Sequence, residues 1–183
     1  MAVQGTPSGG RLGVRERRTT QEHRRNREFE AFVAGAGGRL LHTATLLTAE
    51  APDDNPRARR LLTLALAHTY ACWDRLRGED PYDHAREHLA ARFAHGAWHR
   101  YGTLPFGRVR PRPAVGALAR LTPRQRLVLV LRLYEGVAEE QVGALLGLPE
   151  DRVRAVCERA TTTLLHPPRD PAPAVRRAKA AAS

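Results

Sequence analysis

The segment from Ala138 to Leu165 constrains this chain most. Val142, Leu145 and Leu146 fall on one side of a short helix over 138–146, and Val153, Val156, Cys157, Ala160 and Leu164 repeat at helical spacing from Glu150 to about Leu165. Gly147-Leu148-Pro149 breaks the pattern between them. Short helix, tight glycine-containing turn, longer helix is the spacing of a helix-turn-helix. The buried stripe of the second helix leaves Arg152, Arg154, Ala155, Glu158, Arg159 and Thr162 facing outward. A recognition helix in the major groove needs such residues in its amino-terminal half, because arginine takes guanine bidentately and a short Ala lets the backbone approach. Arg154 and Arg159 lie about 140° apart around the helix, so Arg154, nearer the amino end, is expected to read bases and Arg159 to hold phosphate. Glu150 and Asp151 in the first turn suit the helix dipole but oppose phosphate, and helix pairs of this length also occur in folds that never touch DNA.

The rest of the chain is also helical in pattern. Phe29, Phe32, Val33, Ala36, Leu40, Thr43, Ala44 and Leu47 form one stripe, which predicts an amphipathic helix beginning near Glu28. Gly35, Gly37 and Gly38 weaken it, so a kink or a close helix neighbour is expected there. After the turn-rich run Ala51 to Pro56, a second helix is predicted from about Arg57 to Arg77, with Leu62, Ala65, Leu66, Thr69, Trp73 and Leu76 on one side. Asp80 is placed to cap a third, with Pro81 at its first position and Tyr82, Ala85, Leu89, Phe93 and Ala97 inward to about Arg100. Trp73 and Trp98 read as packing residues. A short helix around Val115 to Ala119 and another from an N-cap at Thr122 to about Tyr134 complete the second lobe. No segment alternates with period two, so the expected fold is all-α: two small helical domains, the C-terminal one a four-helix helix-turn-helix domain.

Charge sits mainly outside those lobes. The 183 residues carry 30 Lys plus Arg against 19 Asp plus Glu, a formal charge of +11. Residues 1–27 contribute +5, 101–114 contribute +3 and 167–183 contribute +3, while 28–100 and 115–166 are nearly neutral. The first 27 residues have almost no apolar periodicity and are expected to form a disordered basic arm. Residues 101–114, rich in Pro, Gly and Arg, are expected to form a linker, and 167–183 a basic tail. Arginine-bearing segments beside neutral lobes suit a polyanion, since each neutralised phosphate releases counterions; solubilising tails without a partner are the plainer reading. Neither an apolar span nor a signal-peptide core is present, which predicts a cytoplasmic protein without membrane insertion. Cys72 and Cys157 are far apart and neither lies in a CxxC, against a disulfide framework or a cysteine-built zinc site. The chain lacks GxxxxGK[ST], GxSxG and HExxH motifs, and no nucleophile or carboxylate pair suggests an enzyme.

His84, His88, His95 and His99 share one side of the third helix, opposite Leu89 and Phe93. Histidines four apart can bind a divalent metal, with Asp83 and Glu87 near enough to join, so a zinc or nickel site is one reading. A pH-sensitive surface and an ordinary solvated face are the others. One straight helix cannot close a tetrahedral shell around all four, because His84 and His99 stand roughly 22 Å apart along it. No metal and no cofactor are therefore expected.

The run Leu121-Thr122-Pro123-Arg124-Gln125-Arg126, opening an apolar helix to Tyr134-Glu135-Gly136, followed by Glu139-Glu140-Gln141-Val142-Gly143-Ala144-Leu145-Leu146-Gly147 and then Arg152-Val153-Arg154 through Arg159-Ala160, closely resembles the fourth region of extracytoplasmic-function RNA polymerase sigma factors. The resemblance implies a module that reads the −35 promoter element. Residues 28–100 resemble the second region of that family in helix order and spacing, with an L-L-x-x-A-x-L-L-T ending to the first helix. Asp80 to Arg100 looks like the helix that, in that family, melts the −10 element. Promoter DNA and RNA polymerase core are the partners implied, with an anti-sigma factor as a further class. Where the family typically grips the polymerase clamp with an A-E-D-L-V-Q-E run, this chain has Ala58-Arg59-Arg60-Leu61-Leu62-Thr63-Leu64. Arg59, Arg60 and Thr63 are thus its polymerase-binding candidates by position, with charge reversed at two of them. Ala91 stands where an Asn often follows the apolar stretch of the third helix. A DNA- or protein-binding regulator derived from a sigma factor, without initiation activity, is the alternative reading.

Overall fold

The computed structural model describes residues 9–99 and 114–166, with side chains from 19–96 and 114–166. The polypeptide is all-α, with no strand among the described residues beyond an isolated bridge between Ala51 and Asp54. The expected linker falls almost wholly, and the basic tail entirely, outside the described residues.

Helix α1 spans Gly9–Thr48, so it begins well before Glu28, and the expectation of a disordered arm over 1–27 is corrected for residues 9–27. Arg, Glu and Gln are good helix formers, and this stretch has partners on the next helix. Arg25 reaches Asp74 at 3.2 Å and lies 4.2 Å from the Tyr70 ring centre, while the Tyr70 hydroxyl donates to Asn26 at 2.5 Å. Arg24 and Glu28 add an exposed pair one turn apart at 2.7 Å. The three glycines do not accommodate a close neighbour: a Cβ at Gly35 or Gly38 would meet nothing within 4 Å, and one at Gly37 only Val33 of the same helix.

The carboxyl-terminal turns of α1 bury Leu40, Thr43, Ala44 and Leu47, and Ala49, at φ 51°, turns the chain left-handed. Glu50 then folds back onto α2 (Pro56–Cys72). Its carboxylate accepts from the N–H groups of Arg57 (3.2 Å) and Ala58 (2.9 Å), donors that a helix start otherwise leaves unpaired. A 3₁₀ turn, Trp73–Arg75, ends this arm short of Arg77 and buries Leu76. The Trp73 ring packs against Phe29 at 5.2 Å and Phe32 at 5.5 Å. Helix α3 is Pro81–His99, opened by Asp80, whose Oδ1 accepts from the N–H of Tyr82 at 2.8 Å.

In the second lobe the first element is a 3₁₀ turn, Ala117–Arg120, rather than a helix over 115–119. Gly116 precedes it at φ 73°, a geometry that only glycine adopts freely. Helix α4 (Pro123–Leu129) starts with a reciprocal cap: Thr122 Oγ1 accepts from the N–H of Gln125 at 3.3 Å, and Gln125 Oε1 accepts from that of Thr122 at 2.9 Å. It widens into a π-helical turn, Val130–Tyr134, followed by α5 (Glu139–Leu146) and α6 (Glu150–Leu165).

The two lobes share a core. Leu47, Ala58, Ala65, Leu89 and Phe93 from the first join Leu127, Leu131, Val142 and Val153 from the second in one buried cluster. Two charged residues from the second lobe are sunk into the junction. The buried Glu135 side chain accepts from the hydroxyls of Thr43 and Tyr82 and pairs with Arg39 at 3.2 Å. Burial, and then Glu135 itself, raise the Tyr82 phenol above its ordinary pKa. Arg126, also buried, donates to the carbonyls of Leu47 (2.9 Å), Leu118 (3.1 Å) and Leu121 (3.1 Å). The Leu47 carbonyl belongs to the last turn of α1, where helical partners run out and negative potential gathers, so a cation is well placed there. Desolvation lowers the Arg126 pKa from its ordinary value.

Candidate functional site

The turn between α5 and α6 sets the site. Gly147 adopts φ 64°, ψ 41°, and the next N–H, from Leu148, closes back on the Gly143 carbonyl at 2.9 Å. The Leu148 carbonyl oxygen lies 2.5 Å from where a Cβ on Gly143 would stand, so the crossing has room only for glycine. The Pro149 carbonyl takes the N–H groups of Arg152 (3.0 Å) and Val153 (3.1 Å), which starts α6 in a fixed direction. Val153, Val156 and Ala160 are buried beneath that helix.

On its outer side Arg152, Arg154, Glu158, Arg159 and Thr162 are exposed, and Ala155 is half-buried. Arg154 is held rather than loose: its Nη2 meets Glu139 Oε2 at 2.7 Å, and Glu139 Oε1 lies 3.4 Å from Arg132. The hydrogen bond and charge of Glu139 push the Arg154 guanidinium above its usual pKa. Arg132 in turn donates to the Val137 carbonyl, so α4's extension, α5 and α6 are tied through one carboxylate. Thr162 bonds back to the Glu158 carbonyl at 2.9 Å. Arg152, Arg154 and Arg159 share the helix with Glu150, Asp151 and Glu158, so the face carries specific donors and acceptors without a strong net field.

Arg59, Arg60 and Thr63 are exposed on α2, away from that face; Arg59 donates to Asn55 at 2.9 Å and Thr63 to the Arg59 carbonyl at 2.9 Å. Ala91 is exposed on α3. The histidines do not form one outer stripe. His84 and His88 are half-buried where α2 crosses α3, and both rings stack on His68, with centres 5.3 Å and 3.9 Å away. Burial, then the neighbouring His68, Arg92 and His84, push the His88 imidazole down to about 4. His95 is exposed, and the side chains of His99 and Trp98 lie outside the described residues.

A compact helix-turn-helix with an arginine-bearing outer face has the geometry with which such modules enter the major groove. Residues 117–164 match the family model of sigma-70, region 4, which indicates a sigma-factor-like DNA-binding domain in the second lobe. No curated protein and no solved structure matches the chain. No described helix is long and apolar enough to cross a membrane.

Sequence reasoning found the outward face of α6 but not the carboxylate that aims it. Glu139 stands fifteen residues before Arg154 and looked like part of a motif. Its position at the first turn of α5, preceded by Arg132 seven residues earlier, was the available signal.

Proposed function

We propose that this protein is an RNA polymerase sigma factor of the extracytoplasmic-function class: residues 28–100 bind core polymerase and α6 lies on upstream promoter DNA, directing initiation. The observation that carries this reading is the fixed projection of Arg152, Arg154, Glu158 and Arg159 from a glycine-built turn inside the segment that matches region 4. Its resemblance in helix order to the family's second region supports a polymerase-binding role for the first lobe. The action is binding rather than catalysis, and the protein works in the cytoplasm. An anti-sigma factor is a further partner of this reading. Run-off transcription with cognate core polymerase on genomic promoter fragments tests it, with discrete transcripts expected only when the protein is added.

A second reading, a DNA- or protein-binding regulator that does not itself support initiation, is favoured by exposed Arg59 and Arg60 where the family carries acids. Like charge against a basic clamp is repulsive. Failure to co-purify with core at low salt selects this reading. Under the first, replacing Arg59 with Glu and Arg60 with Asp strengthens core binding.

A further inference from the structure

We propose that His68 and Cys72 of α2 together with His84 of α3 form a transition-metal site, suited to zinc, with one coordination position open to solvent. The donor atoms of these three side chains all lie within 4.8 Å of one another, and Cys72 Sγ is 3.9 Å from His68 Nε2. Two come from one face of α2, four residues apart, and the third from the opening turn of the helix packed across it. Nε2 of His84 is shut off from solvent yet has no hydrogen-bond partner, a costly state for an imidazole nitrogen unless something else takes its lone pair or proton.

The distances fit a metal after small side-chain rotations. Bonds of about 2.3 Å to sulfur and 2.0–2.1 Å to nitrogen in a tetrahedron put the donor atoms about 3.3–3.6 Å from one another. A thiolate with two imidazoles selects zinc or cuprous ion over magnesium, calcium or manganese, which prefer oxygen. Binding breaks the Cys72 S–H bond, forms the metal–sulfur bond and releases the proton to water, while each histidine donates the lone pair of a neutral ring. His88, stacked on His68 at 3.9 Å, is a positioning residue that fixes that ring's plane. Cys72 is a free cysteine, and the other cysteine, Cys157, lies on α6. Occupancy would pin the end of α2, the helix carrying Arg59, Arg60 and Thr63, to the start of α3. The inference rests on the first lobe's geometry and does not depend on the sigma reading.

Titration of the untagged, reduced, full-length chain with cobalt(II), after chelator treatment, tests it. One equivalent is expected to bind with a thiolate-to-cobalt charge-transfer band, and zinc(II) to displace it. Cys72→Ser should abolish the band, and His84→Ala should weaken zinc binding at least about tenfold, whereas Cys157→Ser should change neither. Circular dichroism establishes that each variant is folded. As a measurement on the unaltered chain, one equivalent of zinc should slow alkylation of Cys72 and not of Cys157. Absence of the band, unchanged zinc affinity in Cys72→Ser, or equal alkylation of both cysteines with and without zinc would overturn the proposal.

Discussion

The two lobes stop and start their helices by different means. In the second, the devices are local: Thr122 and Gln125 cap α4 between themselves, and Gly147 ends α5 within one turn of Gly143. In the first, Asp80 caps α3 locally as well, but Glu50 caps α2 from across a turn, and Asn26 and Arg25 of α1 are fastened to Tyr70 and Asp74, more than forty residues on. Caps made by neighbours in sequence leave a short motif that can be read directly, whereas contacts between residues far apart in the chain leave none.

The comparison breaks most sharply at Gly143. Gly143→Ala drives a methyl into the Leu148 carbonyl, and backbone cannot step aside as a flexible side chain can. We expect a loss of about 2–4 kcal/mol in urea unfolding together with loss of specific DNA binding. A change under about 0.5 kcal/mol, the range of ordinary surface substitutions, would show that the turn is not the rigid element of the second lobe.

Glu135→Ala tests whether the lobes are coupled. It strips Tyr82 of its acceptor and leaves Thr43 only the Arg39 carbonyl in a buried junction, with an expected cost of about 2–3 kcal/mol, measured the same way. Glu135→Gln keeps an acceptor oxygen and should cost less. Because the core is shared, the unaltered protein should unfold in one transition by both far-ultraviolet and tryptophan signals.

On α6, Arg154→Ala should weaken binding to a preferred upstream element about ten- to a hundredfold and relax preference at one base pair. Arg159→Ala should weaken all sequences alike and lower the salt slope by about one. Glu139→Ala, which frees Arg154 without removing it, should fall between wild type and Arg154→Ala in base preference. A randomised upstream element titrated at two salt concentrations separates these outcomes, and wild-type behaviour in all three variants would remove α6 as the DNA reader. The smallest effect is Thr122→Ala, which costs α4 its cap, about 1 kcal/mol.

The helix-turn-helix was legible because its information is short-range: stripe, glycine, stripe. Periodicity also found the inward faces of α2 and α3. It misjudged the start of α1, since the residues that hold Arg25 and Asn26 in place lie more than forty positions on. It assigned His84 and His88 to an outer face because a single helix wheel does not show that α2 covers that side. Glu135 follows the expected end of its helix with no sequence sign of burial, and the π-helical turn at Val130–Tyr134 leads it into the junction. Burial of a charge depends on what arrives opposite it, which composition does not encode.

The Glu135 and Arg126 contacts also order events in time. Thr43 precedes Glu135 by 92 residues, and the Leu47 carbonyl precedes Arg126 by 79. At roughly 5–20 residues per second of synthesis, the end of α1 leaves the ribosome on the order of ten seconds before the groups that complete it. During that interval the first lobe carries an open apolar end and unpaired carbonyls, and a chaperone or a partner surface has its best access there before the second lobe closes it.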